Sequence, residues 1–141
     1  MKIIVTGHGN FASGLQSTIK LLAGSIPNTM FIDFTVEMSE TDLAAKFQQQ
    51  IGSDNILFFC DLVGGTPYKE AAKLSFTDEE KFAVVAGCNI GSLLELGLNQ
   101  SSLAQKSIKE VAEEFVKVSQ SGTQFFQHRQ VVQPQNDEDG I

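Results

Sequence analysis

Apolar and polar residues change period repeatedly along this chain, and each change marks an element. Lys2–Thr6 (KIIVT) is a short continuous apolar run, the pattern of a strand buried on both faces, and Gly7-His8-Gly9 ends it as a turn. From Phe11 to Leu22 the period becomes helical, with Phe11, Leu15, Ile19 and Leu22 on one face and Gly24 closing the helix. Met30–Phe34 (MFIDF) predicts a second strand. Ser39-Glu40-Thr41-Asp42 has the form of a capping box and opens a helix through Ala44, Phe47 and Ile51 to Gly52. Ile56–Cys60 (ILFFC) is the most apolar run and therefore a central strand. Asp61-Leu62-Val63-Gly64-Gly65-Thr66-Pro67 follows, where Thr66 fits an N-cap and Pro67 the first helical position of a helix running to about Ser75. Phe82–Ala86 (FAVVA) predicts a fourth strand, and Ile90 to about Leu98 a short helix. A longer helix is expected from about Ser102 to Gln120, with Ile108, Val111, Ala112, Phe115 and Val118 at helical spacing and Gly122 as its stop.

Four strand–helix alternations imply an α/β fold: an open, doubly wound sheet of four parallel strands with helices on both faces. Gln124–Val132 (QFFQHRQVV) is too apolar to leave in solvent and suits an antiparallel strand at an open sheet edge. Residues 1–133 then form one domain, and Pro134–Ile141 a flexible acidic tail or the stub of a linker. In such sheets ligands bind outside the carboxyl ends of the strands, where strand order reverses. That rule selects Gly7-His8-Gly9, Asp33, the segment from Asp61 to Thr66, and Gly87-Cys88-Asn89.

Composition narrows the function classes. The 141 residues carry a formal net charge of −7, which argues against a protein that grips a nucleic-acid backbone. Asp137, Glu138 and Asp139 place part of that charge in the tail. No apolar run approaches the roughly 18 residues of a membrane span, and the apolar N-terminal run is too short for a signal peptide. Cys60 and Cys88, both in apolar segments, suit a reduced, cytoplasmic protein. Two separated cysteines and two separated histidines give no metal-ligand cluster, and no cofactor is called for.

His8 is the only histidine in the body of the chain, His128 lying in the last segment. By itself it fits a ring that hydrogen-bonds its own loop. A functional role needs a partner that fixes its tautomer, because a neutral imidazole has one donor and one acceptor nitrogen. Asp61, at the end of the strand expected beside it, can accept one ring N–H and leave the other nitrogen as a nucleophile. Its bland alternative is an Asx-turn into the glycines. Gly64 and Gly65 expose backbone N–H groups at the start of a helix, where an anion could settle, and the Thr66 hydroxyl can cap that helix or donate to a phosphate oxygen. Gly9, beside His8, allows the same close backbone approach. Together these residues suggest phosphoryl transfer through a phosphohistidine. A rival reading takes Gly7-x-Gly9-x-x-Ala12 with Asp33 as a dinucleotide-binding fingerprint, and a regulatory module of flavodoxin-like shape is a third.

IIVTGHG, FIDF, LFFCDLVGGTPYKEAA and VVAGCNIGSLLEL, in that order and spacing, resemble the IIA domains of the mannose family (mannose, fructose, sorbose and N-acetylgalactosamine types) of the bacterial phosphoenolpyruvate-dependent sugar phosphotransferase system. The resemblance covers about Met1 to Leu98. Asp-x-x-Gly-Gly-Thr-Pro followed by Ala-Gly-x-Asn-Ile is its most specific part. Cys60, Val63 and Gly91 depart from the usual pattern, and after Leu98 the match fades. The resemblance implies a phosphorylated histidine at His8 and an orienting aspartate at Asp61. It further implies HPr as phosphoryl donor, a IIB domain as acceptor, and membrane IIC and IID components that choose the sugar. A homodimer that exchanges its last strand is implied as well. The phosphotransfer subunit of dihydroxyacetone kinases is a close alternative, but tends to carry Asp-x-Gly-Ser-Ala where this chain has Asp61-x-x-Gly64-Gly65-Thr66-Pro67.

Overall fold

The computed structural model describes residues 1–128. Four strands, β1 (Lys2–His8), β2 (Thr29–Phe34), β3 (Ile56–Cys60) and β4 (Phe82–Ala86), form one parallel sheet in the order β2-β1-β3-β4. Helices α1 (Phe11–Ala23), α2 (Glu40–Gln50), α3 (Thr66–Thr77) and α4 (Ile90–Leu98) follow the strands in turn. A 3₁₀ turn at Gln100–Leu103 and helix α5 (Ile108–Gly122) complete the elements.

Alternation along the strands divides the core between two faces. Ile3 and Val5 of β1 and Leu57 and Phe59 of β3 pack under α1, α4 and α5, through Ile19, Leu93, Val111 and Phe115. Ile4, Ile56 and Phe58 point the other way, onto Leu43 and Phe47 of α2 and Ala71 of α3. Every residue of β3 is buried, because helices cover both faces of a strand with neighbours on both edges. Phe58 stacks tilted against Phe47, ring centroids 5.0 Å apart, so truncating it to alanine would cost about 3–5 kcal/mol. No helix among the described residues is long and apolar enough to cross a membrane.

The structure corrects three boundaries. β1 runs two residues further than its apolar pattern, because pairing with β2 continues through Gly7↔Asp33 and His8↔Phe34; His8 ends a strand instead of occupying a turn. The N-cap of α3 is Gly65, with Thr66 and Pro67 as the first two helical residues, since Gly65 adopts extended φ/ψ of −71°/166°. The expected long helix is broken: the chain makes the 3₁₀ turn, then restarts at Ser107, whose side chain and that of Glu110 close a capping box. Residues 124–128 of the expected last strand pair with no strand of the sheet, and residues 129–132 lie outside the described residues, as does the tail 134–141.

Candidate functional site

Strand order reverses between β1 and β3, so the crevice expected of an open α/β sheet lies at their carboxyl ends. His8 is the last residue of β1 and Asp61 the first after β3, so parallel pairing of the two strands brings the side chains together. Asp61 Oδ2 accepts the His8 backbone N–H at 2.9 Å and faces His8 Nδ1 at 2.7 Å, while Oδ1 accepts the Leu62 N–H at 2.9 Å. Burial works against ionisation of Asp61, but the hydrogen bonds from the His8 amide, the His8 ring and the Leu62 amide outweigh it and hold the carboxyl below its ordinary value. An ionised carboxylate can only accept, so Nδ1 carries the hydrogen and Nε2 keeps its lone pair. The side chain of His8 is 45% exposed and that of Asp61 11%, so the ring is open to solvent and its anchor is not.

Two neighbours hold the ring: Phe34, which the sequence pattern did not single out, and Gly65, expected there only as an anion donor. Phe34 meets His8 edge to face, centroids 5.8 Å apart at 73°, because the two residues are register partners on the same face of the sheet. Alternation along β2 carries that signal. Backbone of Gly65 lies against the ring's Cε1 side.

Gly64, at φ +82°, makes the left-handed turn that delivers the chain to α3. The amides of Gly64 and Gly65 donate to no acceptor among the described residues, and the Thr66 amide is unpaired within its helix by position. With Gly65 as the cap, the Thr66 hydroxyl is released from capping and makes no hydrogen bond among the described residues. These unpaired donors and the positive end of α3 gather beside His8, an arrangement chemically able to receive an anion. Gly9 is adjacent, at φ +58°, but its N–H is already donated to the Phe34 carbonyl at 2.8 Å.

Asp33 has a different place from the one a dinucleotide fingerprint requires. Its Oδ1 accepts the Ser13 N–H at 2.9 Å, capping α1 in place of Asn10, whose side chain makes no cap bond. A carboxylate therefore fills the helix N-terminus where a pyrophosphate would sit. Gly7 is glycine for packing: a Cβ there would lie 2.5 Å from Phe11 Cδ1. Cys88-Asn89 forms a clamp: Asn89 caps α4 by accepting the Ser92 N–H, and its own N–H donates to Ser119 Oγ of α5 at 2.8 Å. Cys60 is buried beside Asp61, and burial, then the Asp61 charge, push its thiol far up, so it is no nucleophile. Among the described residues no group of three His, Cys, Asp or Glu side chains is arranged to hold a metal ion.

Comparison with known proteins identifies the family of this chain. The family model EIIA-man, described as the PTS system fructose IIA component, matches residues 2–116. The sorbose-specific EIIA component of Lacticaseibacillus casei is 30% identical over 124 residues, covering 85% of this chain and 86% of the relative. The mannose-specific EIIAB component of Escherichia coli K12 is 32% identical over 97 residues, which are 66% of this chain but 30% of that longer protein. The crystal structure of phosphotransferase system component EIIA from Streptococcus agalactiae superposes with a TM-score of 0.79 at 29% identity, covering 88% of this chain and 95% of that one. By model, relative and fold alike, this chain belongs to the EIIA-man family of sugar phosphotransferase-system IIA components.

Proposed function

We propose that the chain is a phosphocarrier that accepts a phosphoryl group on Nε2 of His8 from phospho-HPr and passes it to a IIB domain. The observation that supports this reading is the 2.7 Å contact between His8 Nδ1 and Asp61 Oδ2, which leaves the Nε2 lone pair available as a nucleophile. The Nε2 lone pair attacks phosphorus as the donor's N–P bond breaks, and the donor imidazole leaves with the bonding pair. The Nδ1 proton stays on its nitrogen, facing Asp61, throughout. The amides of Gly64, Gly65 and Thr66 and the Thr66 hydroxyl receive the phosphoryl oxygens, at the helix end that favours negative charge. The second half-reaction reverses this geometry toward an acceptor on IIB. Support for that acceptor comes from the longer mannose-specific relative, named EIIAB, in which a matching segment occupies 30% of one chain. The protein works in the cytoplasm as a homodimer and meets the membrane components only through IIB.

The test is direct. With phosphoenolpyruvate, enzyme I and HPr, the protein should acquire an acid-labile, alkali-stable phosphoryl group. His8→Ala should acquire none, and a label retained by that variant would remove His8 from the reaction. Chasing the labelled protein with a IIB domain should move the label, and a label that stays put would sink the acceptor assignment.

A further inference from the structure

The adjacent glycines after β3 are glycine for different reasons. Gly64 stands at φ +82° with nothing within 4 Å of where a Cβ would be, so backbone conformation alone requires it. Gly65 stands at φ −71° and ψ 166°, extended backbone that any residue adopts. Yet a Cβ on Gly65 would lie 2.6 Å from His8 Cε1, 3.4 Å from His8 Nε2 and 3.3 Å from Leu62 Cδ1. We propose that Gly65 is a positioning residue for His8: its missing side chain is the space in which the imidazole lies, and filling that space drives the ring off Asp61.

The distances decide the direction of the effect. Carbon atoms in contact sit about 3.5–4.0 Å apart, so the ring would have to retreat by roughly 1 Å. A hydrogen bond of 2.7 Å lengthened by that amount is lost. With it goes the constraint that keeps the hydrogen on Nδ1 and the lone pair on Nε2. The ring is 45% exposed, so it can swing toward solvent with little disturbance of the core. The fold survives while the site loses its alignment. A capping role predicts the opposite ranking: serine is a better N-cap than glycine or alanine, so a serine at 65 would improve α3. Under the positioning role serine is as harmful as alanine, because both carry a Cβ.

The ring orientation does not depend on the phosphocarrier reading; only its consequence for transfer rests on it. The experiment therefore has separate readouts on the full chain carrying Gly65→Ala or Gly65→Ser: long-range ¹H–¹⁵N spectra of the His8 ring, thermal unfolding, and single-turnover labelling from phospho-HPr. Both variants should lose the pure Nδ1–H tautomer, keep cooperative unfolding, and label about a hundredfold more slowly, the scale of a 1 Å misplacement. A Gly65→Ser protein with the wild-type tautomer and rate would overturn the proposal. Should Gly65→Ser, which does not weaken the cap, lower Tm, the loss must vanish in a His8→Ala background, where the ring that it strikes is gone; a persisting loss overturns the proposal too. If the wild-type protein takes no label at all, the phosphocarrier reading fails while the ring spectra still decide the role of Gly65.

Discussion

Asp61 serves three donors with two oxygens, and its ionised state is what makes the His8 tautomer definite. Asp61→Asn keeps one accepting oxygen but turns the other position into a donor, which favours the ring hydrogen on Nε2. Transfer from phospho-HPr should slow about 10–100-fold, less than the roughly 10⁴ known for a serine-protease triad, because no proton has to move onto the ring here. Unchanged single-turnover transfer would contradict the role. The carboxyl is held low by its folded-state partners, so its contribution to stability is present above the ordinary aspartate value of about 3.9 and is lost as pH falls through the lower folded value. A ¹³C titration of the Asp61 carboxyl should give a midpoint below that of a free aspartate; a midpoint at or above it would contradict the hydrogen-bond account. Thr66 is separable in the same way. Because Gly65 is the cap, Thr66→Ala should change stability by less than about 0.5 kcal/mol while slowing transfer, by about 2–4 kcal/mol of barrier if the hydroxyl acts as an oxyanion donor. Thr6, two residues before His8, is fully buried with no partner for its hydroxyl among the described residues. Thr6→Val should therefore raise stability in urea by about 1–2 kcal/mol, and a loss would mean that the hydroxyl is satisfied in solution.

At the level of elements, what was legible in the sequence was periodic or local. The apolar runs found all four strands, and the Ser39 capping box appears with Asp42 as its reciprocal partner, which hydrogen bonds from Ser39 hold ionised below the usual carboxylate range. The meeting of His8 and Asp61 was legible too, since both stand at the carboxyl ends of strands that the sequence marked as neighbours. Two of the three corrected boundaries have their reason at a helix cap. Around Ser102 the helical spacing continues through a stretch where the backbone tightens to 3₁₀, and the stronger signal, Ser107-x-x-Glu110, lies inside it. Reading that capping box would have placed the start of α5 correctly. Ser107→Ala should accordingly cost about 1 kcal/mol, as measured by chemical unfolding, and a neutral result would reduce the box to an incidental contact. At α3, Thr-Pro satisfies the sequence rules for a cap in either of two registers, and the backbone of Gly65 decides between them. Contacts between distant strands left no local trace: Asp33 capping α1 spans 20 residues, and the Gly9 amide is engaged by Phe34 on the next strand. The role of Gly65 is of this kind, because the residue that it makes room for is 57 positions away in the chain.

At the scale of the whole molecule, β4 is a sheet edge available to another strand. It pairs with β3 alone among the described residues, so one row of its backbone N–H and C=O groups faces outward between α3 and α5. An uncovered edge of this kind is a template for another strand. The end of α5 is tied to the carboxyl end of β4 by Asn89, whose N–H donates to Ser119 Oγ and whose side-chain amide donates to the Ser119 carbonyl at 3.0 Å. The segment after Gly122 therefore departs from the carboxyl end of β4, and a segment returning along a parallel sheet from there must run antiparallel to it. That segment opens with Phe125 and Phe126, 78% and 82% exposed, a concentration of apolar surface that a lone subunit leaves in water. Exchange of residues 124–132 between two copies would cover both edges, bury both phenylalanine pairs and close a two-fold assembly with no free edge left for further addition. It would also leave the His8 mouth clear, since that lies two strands away between β1 and β3. Sedimentation velocity should then report a dimer for the full-length chain. Truncation after Gly122 should give a monomer or an aggregate that still labels on His8, more weakly and in proportion to its lost stability. A full-length chain that sediments as a monomer at micromolar concentration would end the exchange proposal, and the His8–Asp61 chemistry, complete within one subunit, would stand without it.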